Sequence, residues 1–150
     1  MIIWCDKPEL RIVSDIAPDT GVCKPLPNDS DEVKQYKKKF PYVNRKRVMW
    51  DICYLGIQYC FVTPEGFRWN GTNCLGLQHH PKLLNASMIH DQLCNDHNLI
   101  DQDRQLSSMI FREVGLASDV WKPFMLGAYH AVDNFQKVWG KDLQGKRWKR

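Results

Sequence analysis

The feature that most constrains this chain is a change of hydrophobic period between residues 64 and 81. Before it, VMWDICYLGIQYCFVT (48–63) is dense in β-branched and aromatic residues, and Gly56 divides it into two candidate strands or marks a bulge. PEG (64–66) reads as a turn, and FRW (67–69) can pair back as a short third strand. After it, the period is helical. Pro81 suits the first turn of a helix over 81–95. Asp101 can cap a helix over 102–114, which Gly115 closes. Ser118 or Asp119 starts a third helix ending at Trp139, ahead of Gly140. In that helix Trp121, Phe124, Met125, Ala128, Val132, Phe135 and Trp139 recur three or four apart and form one apolar stripe. Strands first and helices after predict an α+β domain, a small antiparallel β-sheet followed by a three-helix bundle.

The 150 residues suffice for one domain with one core, and 43% hydrophobic residues with six Trp support a folded chain. Residues 1–47 read differently: five of the eight prolines fall there, with the basic runs KKK (37–39) and RKR (45–47). They are read as an N-terminal arm carrying one short strand at 10–13, beside an α+β domain over 48–140 and a basic tail over 141–150. Both ends are expected to dock on a protein partner or a neighbouring copy, the arm through Tyr36, Phe40 and Tyr42. The net charge of +4 sits in the tail, where five basic residues face Asp142, so residues 1–140 are neutral. Nucleic acid is therefore expected only at the tail, where Trp148 lies among the cations. The start, MIIWCDKPEL, has neither a basic n-region nor a long apolar run, and no stretch approaches the ~20 apolar residues of a membrane span. A chain made in a cytoplasm is expected, with its six cysteines as free thiols.

The stretch NASMIHDQLCND (85–96) holds the candidate chemistry. At ~100° per residue, Leu83, Ala86, His90, Leu93 and Cys94 share one arc, with His90 near its middle and Asp91 on its flank. His90 must then face the protein and find partners for its ring nitrogens, on Asp103 or Ser108 of the next helix. A carboxylate beside the imidazole, facing a polar helix, is what a His-Asp hydrolase needs; a histidine that fastens two helices would look the same from sequence.

Three segments in order, GFRWNGTN (66–73), ASMIHDQL (86–93) and DRQLSSMIF (103–111), resemble the phage and prophage family named domain of unknown function 1353. Its pattern runs G-F-x-x-D-x-x-S, A-x-x-H-D-x-L, then s-R-x-x-A-D-x-x-F, and the likeness covers about residues 60–140. The resemblance implies no established activity. A His-Asp helix against a second helix bearing Asp also looks like the calcium-dependent secreted phospholipases. There the His activates a water, the adjoining Asp binds calcium, and the second-helix Asp orients the His. On that likeness His90, Asp91, Asp103 and Ser108 are the candidate catalytic residues, and Asn70, Thr72 and Arg104 the candidate binding residues. The departures bear on activity. Asn70 stands where the family has Asp, and Ser107-Ser108 where it has Ala-Asp. A serine orients a neutral imidazole but does not stabilise an imidazolium as a carboxylate does, and lost carboxylates weaken a calcium or magnesium site.

Two metal arrangements compete with this. A His-Asp phosphohydrolase would share a metal between His80 and His90 with Asp133 as the distal ligand; a zinc site would join Cys74, His79 or His80, His90 and Cys94. His97 reads as a loop residue and His130 as structural. No cofactor is expected, calcium and zinc being the ions these residues would suit. The sequence points to a phage-encoded structural or interaction component, of virion or host takeover, on a degenerate hydrolase-like scaffold. An esterase- or phospholipase-like hydrolase is the alternative.

Overall fold

A computed structural model describes residues 1–71, 80–95 and 104–139, with the side chains of 95, 104 and 135–139 outside that description. The fold is α+β. The 48–63 segment forms a hairpin of β5 (Val48–Tyr54) and β6 (Ile57–Thr63), joined by Leu55 and Gly56. Both loop residues are left-handed, with φ 50° and 81°, the turn whose twist matches that of the flanking strands. Gly56 adopts it freely, whereas Leu55 carries a β-carbon into it. Alternation sends Val48, Trp50 and Ile52 inward and leaves Met49 outside.

Residues 1–47 belong to the same core rather than to an arm outside it. β1 (Ile2–Asp6) and β2 (Leu10–Ser14) complete a four-stranded antiparallel sheet in the order β1-β2-β5-β6. In β2, Leu10, Ile12, Val13 and Ser14 are buried, and Ile12 lies directly opposite Ile52 of β5. A second sheet, in the order β3-β4-β7, joins β3 (Thr20–Val22), β4 (Tyr42–Asn44) and β7 (Arg68–Trp69). The FRW segment therefore pairs with β4, not back onto the strand before it: Tyr42 faces Trp69 and Val43 faces Arg68. Gly66, at φ 87°, turns the chain away from β6, and its amide is held by the Asn44 carbonyl. Tyr42 is buried in the core and is no docking residue. Between β3 and β4 lies α1 (Asp31–Lys39), capped by Ser30, with no buried residue.

The helical half begins with a single 3₁₀ turn, Pro81–Leu83, running into α2 (Leu84–Asn95). It continues as α3 (Arg104–Ala117) and α4 (Lys122–Trp139). Gly115 does not close α3. It lies inside the helix, where a β-carbon would sit 2.3 Å from the Met125 sulfur of α4; its role is close approach between helices. The stop is made by Asp119, left-handed at φ 63°, with Val120 N–H donating to the Gly115 carbonyl and Asp119 N–H to that of Leu116. Asp119 thus ends α3 instead of starting α4. Trp121, placed in the apolar stripe by its spacing, precedes α4 and is 74% exposed; Met125, Ala128 and Val132 are buried as the stripe requires. One continuous core runs from the inner face of the larger sheet through Trp69 to α2, α3 and α4.

Candidate functional site

α2 is buried over more of its circumference than one stripe. The arc of Leu83, Ala86, His90, Leu93 and Cys94 faces inward, and Met88 and Ile89 are buried as well. His90 is 7% exposed. Its ring meets Phe111 of α3 edge-on, centroids 5.5 Å apart. Ser107 and Ser108 are fully buried one turn before Phe111 on the same flank of α3, so α3 turns its polar side toward α2. Asp103 and Thr72 lie outside the described residues, as does the side chain of Arg104, the first residue of α3.

Cys94, one turn after His90, places Sγ 3.7 Å from Nδ1 and 3.6 Å from Nε2. The two ring nitrogens point apart, so a sulfur equidistant from both lies along neither lone pair. Asp91 Oδ1 stands 3.8 Å from His90 Nδ1, a meeting of charges too long for a hydrogen bond. Burial alone pushes the His90 imidazolium toward losing its proton; the Cys94 sulfur and the Asp91 carboxylate outweigh it and hold His90 above the ordinary histidine range.

The Asp91 carboxylate has a different engagement. The nearby backbone N–H of Asn70 helps to hold its charge. Crowding by the surrounding protein raises its pKa, against the pull of His90 and that amide, although 24% of its side chain stays open. Next to this contact Trp69 Nε1 donates to Ser87 Oγ at 3.0 Å, and Ser87 Oγ donates to the Leu84 carbonyl at 3.1 Å. The GFRWN segment and the His-Asp helix are thus fastened through Trp69 and Ser87, with the Asn70 amide beside Asp91. Asn70 joins through its backbone, a contribution that no side-chain motif announces.

Sequence reasoning missed a second fastening. Thr63 Oγ1 accepts the Trp50 indole N–H at 2.9 Å and donates to Gln92 Oε1, while Gln92 Nε2 donates to the Val62 carbonyl at 2.6 Å. Asn44 Nδ2 reaches the Thr63 and Pro64 carbonyls at 3.3 and 2.9 Å. Gln92 lies two residues beyond His90, and nothing in its local spacing marks it as the link between α2 and β6.

The competing metal arrangements lie only partly within the described residues. His80 stacks on Phe124 of α4, centroids 5.2 Å apart, which turns it toward that helix. Cys74, His79 and His97 lie outside the described residues, and Asp133 is carried on α4. Among the described residues no group of three or more His, Cys, Asp or Glu side chains is arranged to hold a metal ion. His130 is exposed on α4, edge-on to Tyr129. The five described cysteines are free thiols.

No family model, curated protein or solved structure matches this chain.

Proposed function

We propose that this chain is a phage-type structural or interaction component, of virion or host cytoplasm, in which the His-Asp pair fastens a degenerate hydrolase-like scaffold. The observation that carries the reading is the packing of His90, buried edge-on against Phe111 with the Asp91 carboxylate 3.8 Å from Nδ1 and beyond hydrogen-bond reach. A general base must be neutral near its operating pH and aimed at the proton it takes. A buried ring whose pKa is pushed above the ordinary histidine range, with its carboxylate beyond hydrogen-bond reach, is a poor general base. The ordered likeness of residues 66–73, 86–93 and 103–111 to the phage family supports the source. No helix among the described residues is long and apolar enough to cross a membrane.

The test is turnover of an ester and phosphodiester panel by the parent and by His90→Ala, with thermal melts of both. The expected result is no turnover in the parent, and a melting loss in His90→Ala equivalent to about 1–3 kcal/mol, from the lost packing on Phe111 and the Asp91 carboxylate left without its cation. Parent turnover that His90→Ala abolishes, with cooperative unfolding kept, would establish the hydrolase instead.

A further inference from the structure

We propose that the outer face of the β3-β4-β7 sheet, with α1 at its edge, is a docking surface for single-stranded nucleic acid. The neutrality of residues 1–140 conceals a strong segregation. Residues 24–47 carry eight basic side chains against three acidic ones, a net +5, and much of this charge flanks β4 at both ends, on α1 before it and at Arg45–Arg47 after it. Tyr42, Asn44 and Trp69 point into the core, so Gly21, Val43 and Arg68 form a cross-strand row on the opposite face, with Gly21 buried and Val43 and Arg68 partly exposed. A β-carbon at Gly21 would fall 2.1 Å from the Arg45 guanidinium, which fixes Arg45 flat over that outer face. Lys46 and Arg47 follow it, both exposed.

At the other end of the row, the Arg68 guanidinium is held by main-chain carbonyls: Nε and Nη2 donate to Phe40 O at 2.9 and 2.6 Å, and Nη2 to Cys23 O at 3.2 Å. It also lies over the Tyr36 ring, 5.6 Å from its centroid. Tyr36 meets Phe40 at 5.3 Å, and Lys39 stands over Phe40 at 5.4 Å. Some of this charge is answered within the molecule, since Lys37 pairs with Asp29 at 2.7 Å and Arg45 approaches Asp19 at 3.7 Å. For Lys38, Lys39, Lys46, Arg47 and Arg68, no carboxylate partner occurs among the described residues. The helix dipole accounts for cations in the last turn of α1. It does not account for Lys46 and Arg47 beyond β4, whereas Arg45 approaches Asp19 and Arg68 is engaged by the Phe40 and Cys23 carbonyls.

The mix of groups selects the polyanion. Point charges suit phosphates, and Tyr36, half-exposed with Arg68 over its ring, leaves aromatic surface beside them for an unpaired base. An acidic protein would use the charges and leave the rings idle. A membrane surface would need a broad apolar face under the lysines, and α1 offers only Val33 and Tyr36 as exposed large hydrophobes.

The experiment is fluorescence anisotropy of a labelled oligothymidylate with the full chain across a salt series. It is repeated for Lys38→Gln/Lys39→Gln and Lys46→Gln/Arg47→Gln, with the melting temperature of each as a folding control. Each double variant should bind at least tenfold more weakly at low salt. Each should also lower the slope of log K against log salt by about 1.4, two phosphate contacts at about 0.7 each. All four side chains are exposed, and the second variant lies outside any helix, so folding and binding separate. Parent and variants binding alike would assign any affinity to residues 141–150 and overturn the proposal. So would a parent that fails to bind, or one that binds polyglutamate or phosphatidylserine vesicles as tightly as the oligonucleotide.

Discussion

Truncating Ile12 to Ala separates a chain whose first residues are core from one whose first residues are an arm. Ile12 is 0% exposed on β2, flanked by β1 and β5, and faces Ile52, itself fully buried. Deleting a buried isoleucine to its β-carbon costs about 2–5 kcal/mol, the spread reflecting how far the site can collapse. The hydrogen-bonded neighbours on both sides restrict that collapse, so about 3 kcal/mol is expected here. For a domain of this size each kcal/mol lowers Tm by about 2–4 °C, which gives a fall of roughly 6–12 °C. In urea the midpoint should drop with its slope unchanged. Ile52→Ala should cost a similar amount. Because the two side chains share one site, the double variant should lose less than the sum of the singles, by about 0.5 kcal/mol or more. Val22→Ala, at a side chain 51% exposed, is the control and should shift stability by no more than about 0.5 kcal/mol. An Ile12→Ala melt that matches Val22→Ala would refute the reasoning and restore the N-terminal arm.

The His-Asp pair predicts the sign of a pH dependence. His90 is raised in the fold, so its contribution is fully present below about pH 6.5, the free-histidine value, and is lost as pH rises through the higher folded value. Asp91 is raised too, and its ionisation costs stability in the same sense at lower pH. Melts between about pH 6.5 and 7.5, below the ordinary thiol pKa of about 8.5, should show Tm falling with pH in the parent and a flatter line in His90→Gln; parallel lines would place the dependence elsewhere. Two glycines give opposite signs. Gly115→Ala drives a β-carbon to 2.3 Å from the Met125 sulfur, so an overpacking cost of about 1–3 kcal/mol should exceed the helix-propensity gain of about 1 kcal/mol. Gly127→Ala, exposed on α4 with nothing within 4 Å, should stabilise by about 0.5–1 kcal/mol; equal effects at the two sites would refute the close α3–α4 approach.

What the sequence determined by itself is whatever depends on near neighbours. β-branched and aromatic residues either side of Gly56 specify the hairpin, Pro81 marks the entry to α2, and helical spacing puts His90 on a buried arc with Cys94, because each is a matter of propensity and period within a turn or a strand. Tertiary structure decided the rest. Proline density around 1–47 hides the fact that Ile12 lines up with Ile52, and the FRW run reads equally well as a partner for β6 or for β4 until Gly66 turns it to Tyr42. A glycine that resembles a helix stop serves a neighbouring methionine, while Asp119 takes the left-handed position. The Asn70 amide lies beside Asp91, Gln92 reaches Thr63, Arg45 covers Gly21, and Arg68 reaches the Phe40 and Cys23 carbonyls. Each of these pairings joins segments far apart in the chain, where the closing of a loop sets the partner and no local pattern encodes it.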